Sequence, residues 1–167
     1  MAIEPSACST NTLIDGNYIG VNSGGVSAAP NGVGILISGN TSAGIRIPTG
    51  TGSALGTTIA GNLIGTNGTQ TSAIPNAIGL DLIGGSGTTV GSVPLGVQFS
   101  NAISGNTVGI VIGDVMNSTV QATVEGNGIG VTTRGTALGN SSDGIRIHNG
   151  SIINIGSPSG HNTISRC

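Results

Sequence analysis

Apolar residues in this chain come in short alternating bursts of three to five positions, separated by glycine, asparagine, serine and threonine. The bursts fall into two spellings. The first, Ile-x-Gly-Asn, occupies Ile14–Asn17, Ile37–Asn40, Ile59–Asn62 and Ile103–Asn106, and returns as Val124–Asn127. The second reads GIRI from Gly44, GLDL from Gly79, GIVI from Gly109 and GIRI from Gly144, with YIGV, LIGT and GIGV as variants from Tyr18, Leu63 and Gly128. Strict alternation over so few residues is the period of a strand with one face buried. Frequent glycine, β-branched Ile, Val and Thr, and the lack of a helical apolar stripe all oppose helix.

The recurrence predicts a solenoid. Copies of the first spelling begin 23, 22, 44 and 21 residues apart, so the longest interval holds a degenerate copy, best matched by TTVG at Thr88–Gly91. INIG at Ile153–Gly156 marks a second degenerate copy and NTIS at Asn162–Ser165 a last one. Such periods belong to repeats too small to bury an apolar face alone. The expected fold is an all-β parallel β-solenoid of about seven coils of ~21 residues. It forms one domain over residues 11–167, behind an N-terminal extension at residues 1–10. Stacking places Ile14, Ile37, Ile59, Ile103, Val124 and Ile164 in one interior column. Ile19, Ile45, Ile64, Leu80, Ile110, Ile129 and Ile145 make a second. The Gly-Asn pair marks the bend between strands: glycine for a conformation that a Cβ hinders, asparagine for its tolerance of the left-handed region and its bonds to turn backbone. In register, Asn17, Asn40, Asn62, Asn106 and Asn127 form one amide ladder.

Composition narrows the picture. Charged residues are 6% of the chain, lysine is absent, and Tyr18 and Phe99 are the only aromatics. Large side chains therefore cannot build the core, and a periodic architecture with small residues at tight turns must. Recurrent Ile, Val and Leu with a net charge of −2 are not the composition of a disordered chain. Four scattered arginines make no basic stripe, which argues against nucleic acid as a partner. No apolar run reaches the ~20 residues of a membrane span. The opening MAIEPSAC shows no basic and apolar leader pattern.

AISGNTVGIVI, TIAGNLIGTNGTQTSAIPN and VEGNGIGVTTRGTALGN resemble the repeats of bacterial and archaeal cell-surface proteins of the right-handed parallel β-helix superfamily. The asparagine ladder is similar to that of pectate-lyase-like folds. The resemblance runs from about Asn11 to the C-terminus. It implies a right-handed winding and an extracellular or cell-surface location. It does not imply an enzyme, because the fold hosts lyases, adhesins and inert stalks alike.

The inventory for chemistry is short. Asp15 and Glu125 share a column five coils apart. At ~4.8 Å per coil that is roughly 24 Å, beyond the reach of paired glycosidase carboxylates. Arg46 and Asp81 fall two coils apart in an outward column with Val111 and Arg146, too far for an ion pair. Glu125, Asp143, Arg146 and His148, on neighbouring coils, are the best acid/base cluster, weighed against the commoner role of solvated surface charge. No catalytic residue and no cofactor is assigned. His148 and His161 lack ligand spacing, and Cys8 and Cys167 form no zinc motif, so no metal is expected either. A lone Tyr18 makes no stacking platform for glycans. Ice binding needs a threonine column, and Thr51, Thr66, Thr89, Thr119 and Thr132 do not share one in this register. Among the Asn-x-Ser/Thr sites, Asn67, Asn117 and Asn140 fall in excursions and are expected to be accessible for glycosylation, whereas Asn40 belongs to the ladder. Excursions at Gly65–Ala77, Ser92–Gln98 and Val131–Ser142 are the surfaces available for recognition.

A solenoid has two ends with unpaired strand edges and an exposed section of core. Neither end of this sequence spells a helical or polar cap. The expectation is a non-catalytic extracellular structural protein that stacks head to tail into a surface filament or stalk, so its partner is itself. The alternatives are a module of a large surface adhesin, and a polysaccharide-acting or glycan-binding module with surface glycans as partner. Cys8 and Cys167 lie roughly 34 Å apart along seven coils, too far to bond within one molecule. Between successive molecules of a filament they come close, and an oxidising exterior permits a bridge. Two unrelated thiols are the alternative.

Overall fold

The computed structural model describes residues 18–19, 35–49, 56–91, 99–114, 116 and 120–165 of the chain. Every regular element among them is a β-strand, and the strands form three parallel sheets. The first sheet stacks six short strands in the order β1 (Tyr18–Ile19), β2 (Leu36–Ile37), β5 (Leu63–Ile64), β8 (Ala102–Ile103), β11 (Gly128–Ile129) and β14 (Thr163–Ile164). The second stacks β3 (Ala43–Ile47), β6 (Ile78–Leu82), β9 (Val108–Ile112) and β12 (Asp143–Ile147). The third stacks β4 (Thr58–Ile59), β7 (Thr88–Gly91), β10 (Gln121–Glu125) and β13 (Ile152–Ile155). From β2 onward the chain visits the sheets in rotation, so each of these coils contributes one strand to each. From β3 to β12, and from β4 to β13, it climbs three turns. No helix among the described residues is long and apolar enough to cross a membrane.

The fold class expected from the sequence is present, but the coil is longer and the coils fewer than seven of ~21 residues. Strands of the first sheet start at Leu36, Leu63, Ala102, Gly128 and Thr163, which are 27, 39, 26 and 35 residues apart. The apparent period arose because one spelling serves two different bends. Ile37–Asn40 and Ile103–Asn106 leave the first sheet, whereas Ile59–Asn62 and Val124–Asn127 leave the third. A fraction of a coil was thus counted as a whole one.

The interior columns change accordingly. Ile37, Ile64, Ile103, Ile129 and Ile164 stack in the first sheet. Ile45, Leu80, Ile110 and Ile145 stack in the second, beside Ile47, Leu82, Ile112 and Ile147. Ile59, Val90, Val124 and Ile155 stack in the third. Ile14 lies outside the described residues. Isoleucine, leucine and valine from all three sheets meet in one bore. A smaller apolar group, Leu36, Leu63 and Ala102, sits on the outer face of the first sheet.

The glycine of Gly-Ile-x-Ile is explained by what lies against it. A Cβ on Gly44 would sit 2.8 Å from the Gly79 carbonyl oxygen, on Gly79 2.5 Å from that of Gly109, and on Gly109 2.4 Å from that of Gly144. Each also abuts a ladder amide of the next coil, that of Asn76, Asn106 or Asn140. A side chain here would push the coils apart.

Candidate functional site: two ladders, paired corners and an open end

The structure holds two asparagine ladders, where the sequence predicted one. The first runs Asn40, Asn76, Asn106, Asn140 along the bend from the first sheet to the second. The second runs Asn62, Asn101, Asn127, Asn162 along the bend from the third sheet to the first. Asn40 and Asn106 are therefore not in one column with Asn62 and Asn127, and Asn17 lies outside the described residues. Asn76 shows the pattern in full. Its Oδ1 accepts the backbone N–H of Asn40 at 3.0 Å and the Asn40 Nδ2 at 2.8 Å. Its Nδ2 donates to the Ile37 carbonyl at 3.0 Å and to Asn106 Oδ1 at 2.8 Å. Two donated and two accepted bonds exhaust the amide, which is how a fully buried asparagine avoids a desolvation penalty. The glycines of the motif, Gly39, Gly61, Gly105 and Gly126, all have φ between 68° and 77°. The asparagines do not, so they serve through their amides rather than through a left-handed backbone.

Four members, Asn76, Asn101, Asn140 and Asn162, lack the Ile-x-Gly prefix that flagged the others. A different signal marks them. Asn101 and Asn162 immediately precede a strand of the first sheet, and Asn76 and Asn140 precede the glycine of Gly-Ile-x-Ile by three and four residues.

The bends also alternate in length. From the first sheet to the second the chain uses residues 38–42 and 104–107 in two coils, and 65–77 and 130–142 in the coils that follow them. The long connections, anticipated as excursions, fold as small antiparallel brackets with bridges Thr66 to Ala73 and Val131 to Ala137. Each bracket is tied to the short corner of the coil before it. Ser38 Oγ donates to the Thr66 carbonyl at 2.7 Å, and Ser104 Oγ to that of Val131 at 2.6 Å. The backbone N–H groups of Gly39 and Gly105 donate to the Ile74 and Leu138 carbonyls. Short and long coils thus form a two-coil unit, visible as a 65-residue offset between Asn62 and Asn127, Ile64 and Ile129, and Gly79 and Gly144. The Gln70 amide joins the two brackets, accepting the Thr133 N–H at 2.7 Å and donating to its Oγ1 at 2.8 Å.

The two ends are unlike. Ile47 and Ile59, in the first strands of their sheets, are 3% and 6% exposed. Ile147 and Ile155, in the last strands of the same columns, are 52% and 40% exposed, and Ile164, in the last strand of the first sheet, is 52% exposed. Among the described residues β12, β13 and β14 are the last strands of their sheets. Beside them Ile155, Ser157, Pro158, His161 and Asn162 border an open depression of about 440 Å³. The ladders share this polarity. Every rung aims amide N–H groups at the oxygen of the rung that follows, and Asn140 and Asn162 sit at the leading end.

The candidate chemistry disperses. Arg46 and Asp81 are neighbours on paired strands, not two coils apart, and Arg46 Nη2 lies 2.7 Å from Asp81 Oδ2, a carboxylate only 4% exposed. Asp143 pairs with Arg146, three residues on in the same strand. Glu125 belongs to the third sheet, where it faces Gly160, and His148 is exposed just after β12. The proposed acid/base cluster is thus one ion pair and two residues on other elements. Among the described residues no three His, Cys, Asp or Glu side chains group as metal ligands. Asn140, expected on an accessible excursion, is a buried ladder rung and cannot present its amide to a glycosylating enzyme in the folded state. Asn67 does lie on a bracket, where its Oδ1 accepts the Thr71 and Ser72 N–H groups. Asn117, Cys8 and Cys167 lie outside the described residues. A short outer threonine column does exist, on the third sheet: Thr58, Thr89 and Thr123 align, followed by Asn154.

No family model, curated protein or solved structure matches the chain.

Proposed function

We propose that this protein is a non-catalytic structural rod of the cell exterior that lengthens by end-to-end association of identical copies. The observation that carries the reading is the open mouth of the bore, where Ile147, Ile155 and Ile164 are half exposed although their column neighbours Ile112, Val124 and Ile129 are fully buried. Covering these three half-exposed side chains is worth about 3 kcal/mol. Association costs more than that, on the order of 4–15 kcal/mol. The joint therefore needs strand pairing and ladder bonds as well as apolar contact. Parallel strands and one-way ladders make the two ends non-equivalent, so the contact is heterologous, and such contacts build open fibres when their rotation does not close. With a net charge of −2, repulsion between copies is weak. The external location is carried by the resemblance of the repeats to those of surface β-helix proteins.

Electron microscopy of the purified chain tests the reading. Fibres are expected, with an axial repeat near ~29 Å for six rungs of the first sheet. Ile164→Asp and Ile155→Asp are expected to abolish them while leaving the monomer folded. Discrete monomers at high concentration, or closed dimers, would overturn it. The same open end also supports a second reading, a module of a longer surface adhesin, in which further coils of one polypeptide cover the mouth. Monomers that become fibre-free rods only in a longer chain would favour that reading.

A further inference from the structure

We propose that the turn between β12 and β13 is a site of spontaneous covalent modification, at which Asn149 closes on the Gly150 nitrogen and is converted to aspartate and isoaspartate. Asparagine is a thermolabile residue, and most so before glycine, whose backbone nitrogen no Cβ shields. Three such pairs fall among the described residues: Asn67-Gly68, Asn127-Gly128 and Asn149-Gly150.

The fold treats the three differently. Asn127 is fully buried in the second ladder, where its Oδ1 accepts from Asn101 at 2.8 Å and its Nδ2 donates to the Val90 carbonyl at 2.9 Å. The Gly128 N–H is committed as well, to the Asn101 carbonyl at 2.9 Å. Asn67 is held toward Thr71. Its Oδ1 accepts the Thr71 and Ser72 N–H groups, and its Nδ2 donates to Thr71 Oγ1 at 3.0 Å.

Asn149 alone is set against the nitrogen that follows it. The Gly150 N–H donates to Asn149 Oδ1 at 3.0 Å. The carbon to be attacked, Cγ, lies one carbonyl bond of about 1.2 Å from that oxygen. The flanks of the turn are fixed: the His148 N–H donates to the Ile112 carbonyl at 2.9 Å and the Ser151 N–H to the Val120 carbonyl at 3.0 Å. A Cβ on Gly113 would lie 1.8 Å from the Asn149 carbonyl oxygen, so the coil before packs directly against the turn. Holding the two reacting groups together makes ring closure an oriented intramolecular step. A Cβ on Gly150 would lie 2.7 Å from Ile153 Cδ1, so the residue that fits the turn is also the one that leaves its nitrogen bare. No coil among the described residues covers the turn from the other side, because β12 and β13 end their sheets.

The Gly150 nitrogen gives up its proton to solvent base and bonds to Asn149 Cγ. The bond from Cγ to Nδ2 breaks, and Nδ2 takes up a proton and leaves as ammonia. Water then opens the cyclic imide at either carbonyl. One opening gives aspartate, and the other gives isoaspartate, in which the main chain runs through the former side chain. Both carry a carboxylate where a neutral amide stood. The new charge lands between Ile147 and Ile152, which are 52% and 56% exposed on the last strands. On the end-to-end reading above, this marks older copies as poor partners, since the joint would have to bury that carboxylate.

Peptide mapping by mass spectrometry, on protein aged at mildly alkaline pH, tests the chemistry. In the folded chain Asn149 is expected to convert roughly tenfold or more faster than Asn67 and Asn127. In denaturing urea the three rates are expected to converge. Equal rates at Asn67 and Asn149 in the folded chain, or conversion of Asn149 only after unfolding, would overturn the proposal. Fibre formation reads the consequence separately. Aged parent protein is expected to assemble less than fresh protein, and aged Asn149→Gln to match fresh. Aged parent that assembles as well as fresh would overturn the age mark alone. A parent chain that never forms fibres would overturn the end-to-end reading and leave the chemistry at Asn149 standing.

Discussion

Two of the three bends of this solenoid carry asparagine ladders, and among the described residues the third carries none. The contrast is not one of loop length. Ladder bends range from residues 126–127, between β10 and β11, to 65–77, between β5 and β6; the third bend ranges from 148–151 to 48–57. What differs is where the chain is when it returns to the sheet. At a ladder bend it comes back through an asparagine whose amide is bonded to the neighbouring rung, and for Asn76, Asn101, Asn106 and Asn127 to the rungs on both sides. At the third bend it comes back through Thr57, Gly87, Val120 or Ser151, with no common side chain. The lesson is that the ladder sets the pitch and position of the coil locally, so the loop ahead of it can grow without disturbing the strand behind it. The third bend is tied between coils by backbone bonds, such as Gly56 N–H to the Ser86 carbonyl and Ser151 N–H to the Val120 carbonyl, and not by a stacked amide among the described residues.

The ladder's hold is broken most severely from its middle. Asn106→Ala removes the acceptor for the Asn76 amide and the donor to Asn140 and to the Ile64 carbonyl. Leaving these buried groups without partners is expected to cost about 3–4 kcal/mol in denaturant unfolding, against about 1 kcal/mol for Asn162→Ala at the half-exposed end. Equal losses would show that the ladder acts rung by rung and not as a stack. Two glycines give a sharper contrast. Gly105 and Gly87 have φ of 73° and 72°, but a Cβ on Gly105 would meet the Gly65 carbonyl at 2.7 Å, whereas on Gly87 the nearest atom is 3.9 Å away. Gly87→Ala should cost about 1 kcal/mol, the left-handed penalty alone, and Gly105→Ala clearly more, as a shift of thermal midpoint. The smallest effect is expected from lengthening a bracket. Two residues inserted after Gly68 should cost about 0.5 kcal/mol or less in loop closure, beyond the exposed tip bonds that Asn67 makes to Thr71 and Ser72, because loop closure grows slowly with length.

Much of this was legible in the sequence, and the rest failed for identifiable reasons. Alternating short bursts and bend glycines announced parallel stacked strands, and the excursions at residues 65–77 and 131–142 fell where the brackets are. The coil count failed because Ile-x-Gly-Asn solves the same problem at two bends: a left-handed glycine followed by a stackable amide. Sequence alone records the solution, not which bend it serves. Asn76 and Asn101 escape the pattern because no Ile-x-Gly precedes them in the sequence. With the period wrong, Arg46 and Asp81 were placed a coil too far apart, and their ion pair was lost with it. The exposed Ile147, Ile155 and Ile164 have the same spelling as their buried neighbours, so only the stack reveals which rung is last.

Because short and long corners take turns, the rod has a parity. Its length can change by even numbers of coils, in steps of about 10 Å, without any bracket meeting another. An odd change brings two brackets side by side. Duplication or loss of a 65-residue block is therefore structurally silent, whereas gain or loss of half of it is a fault that the whole rod would feel.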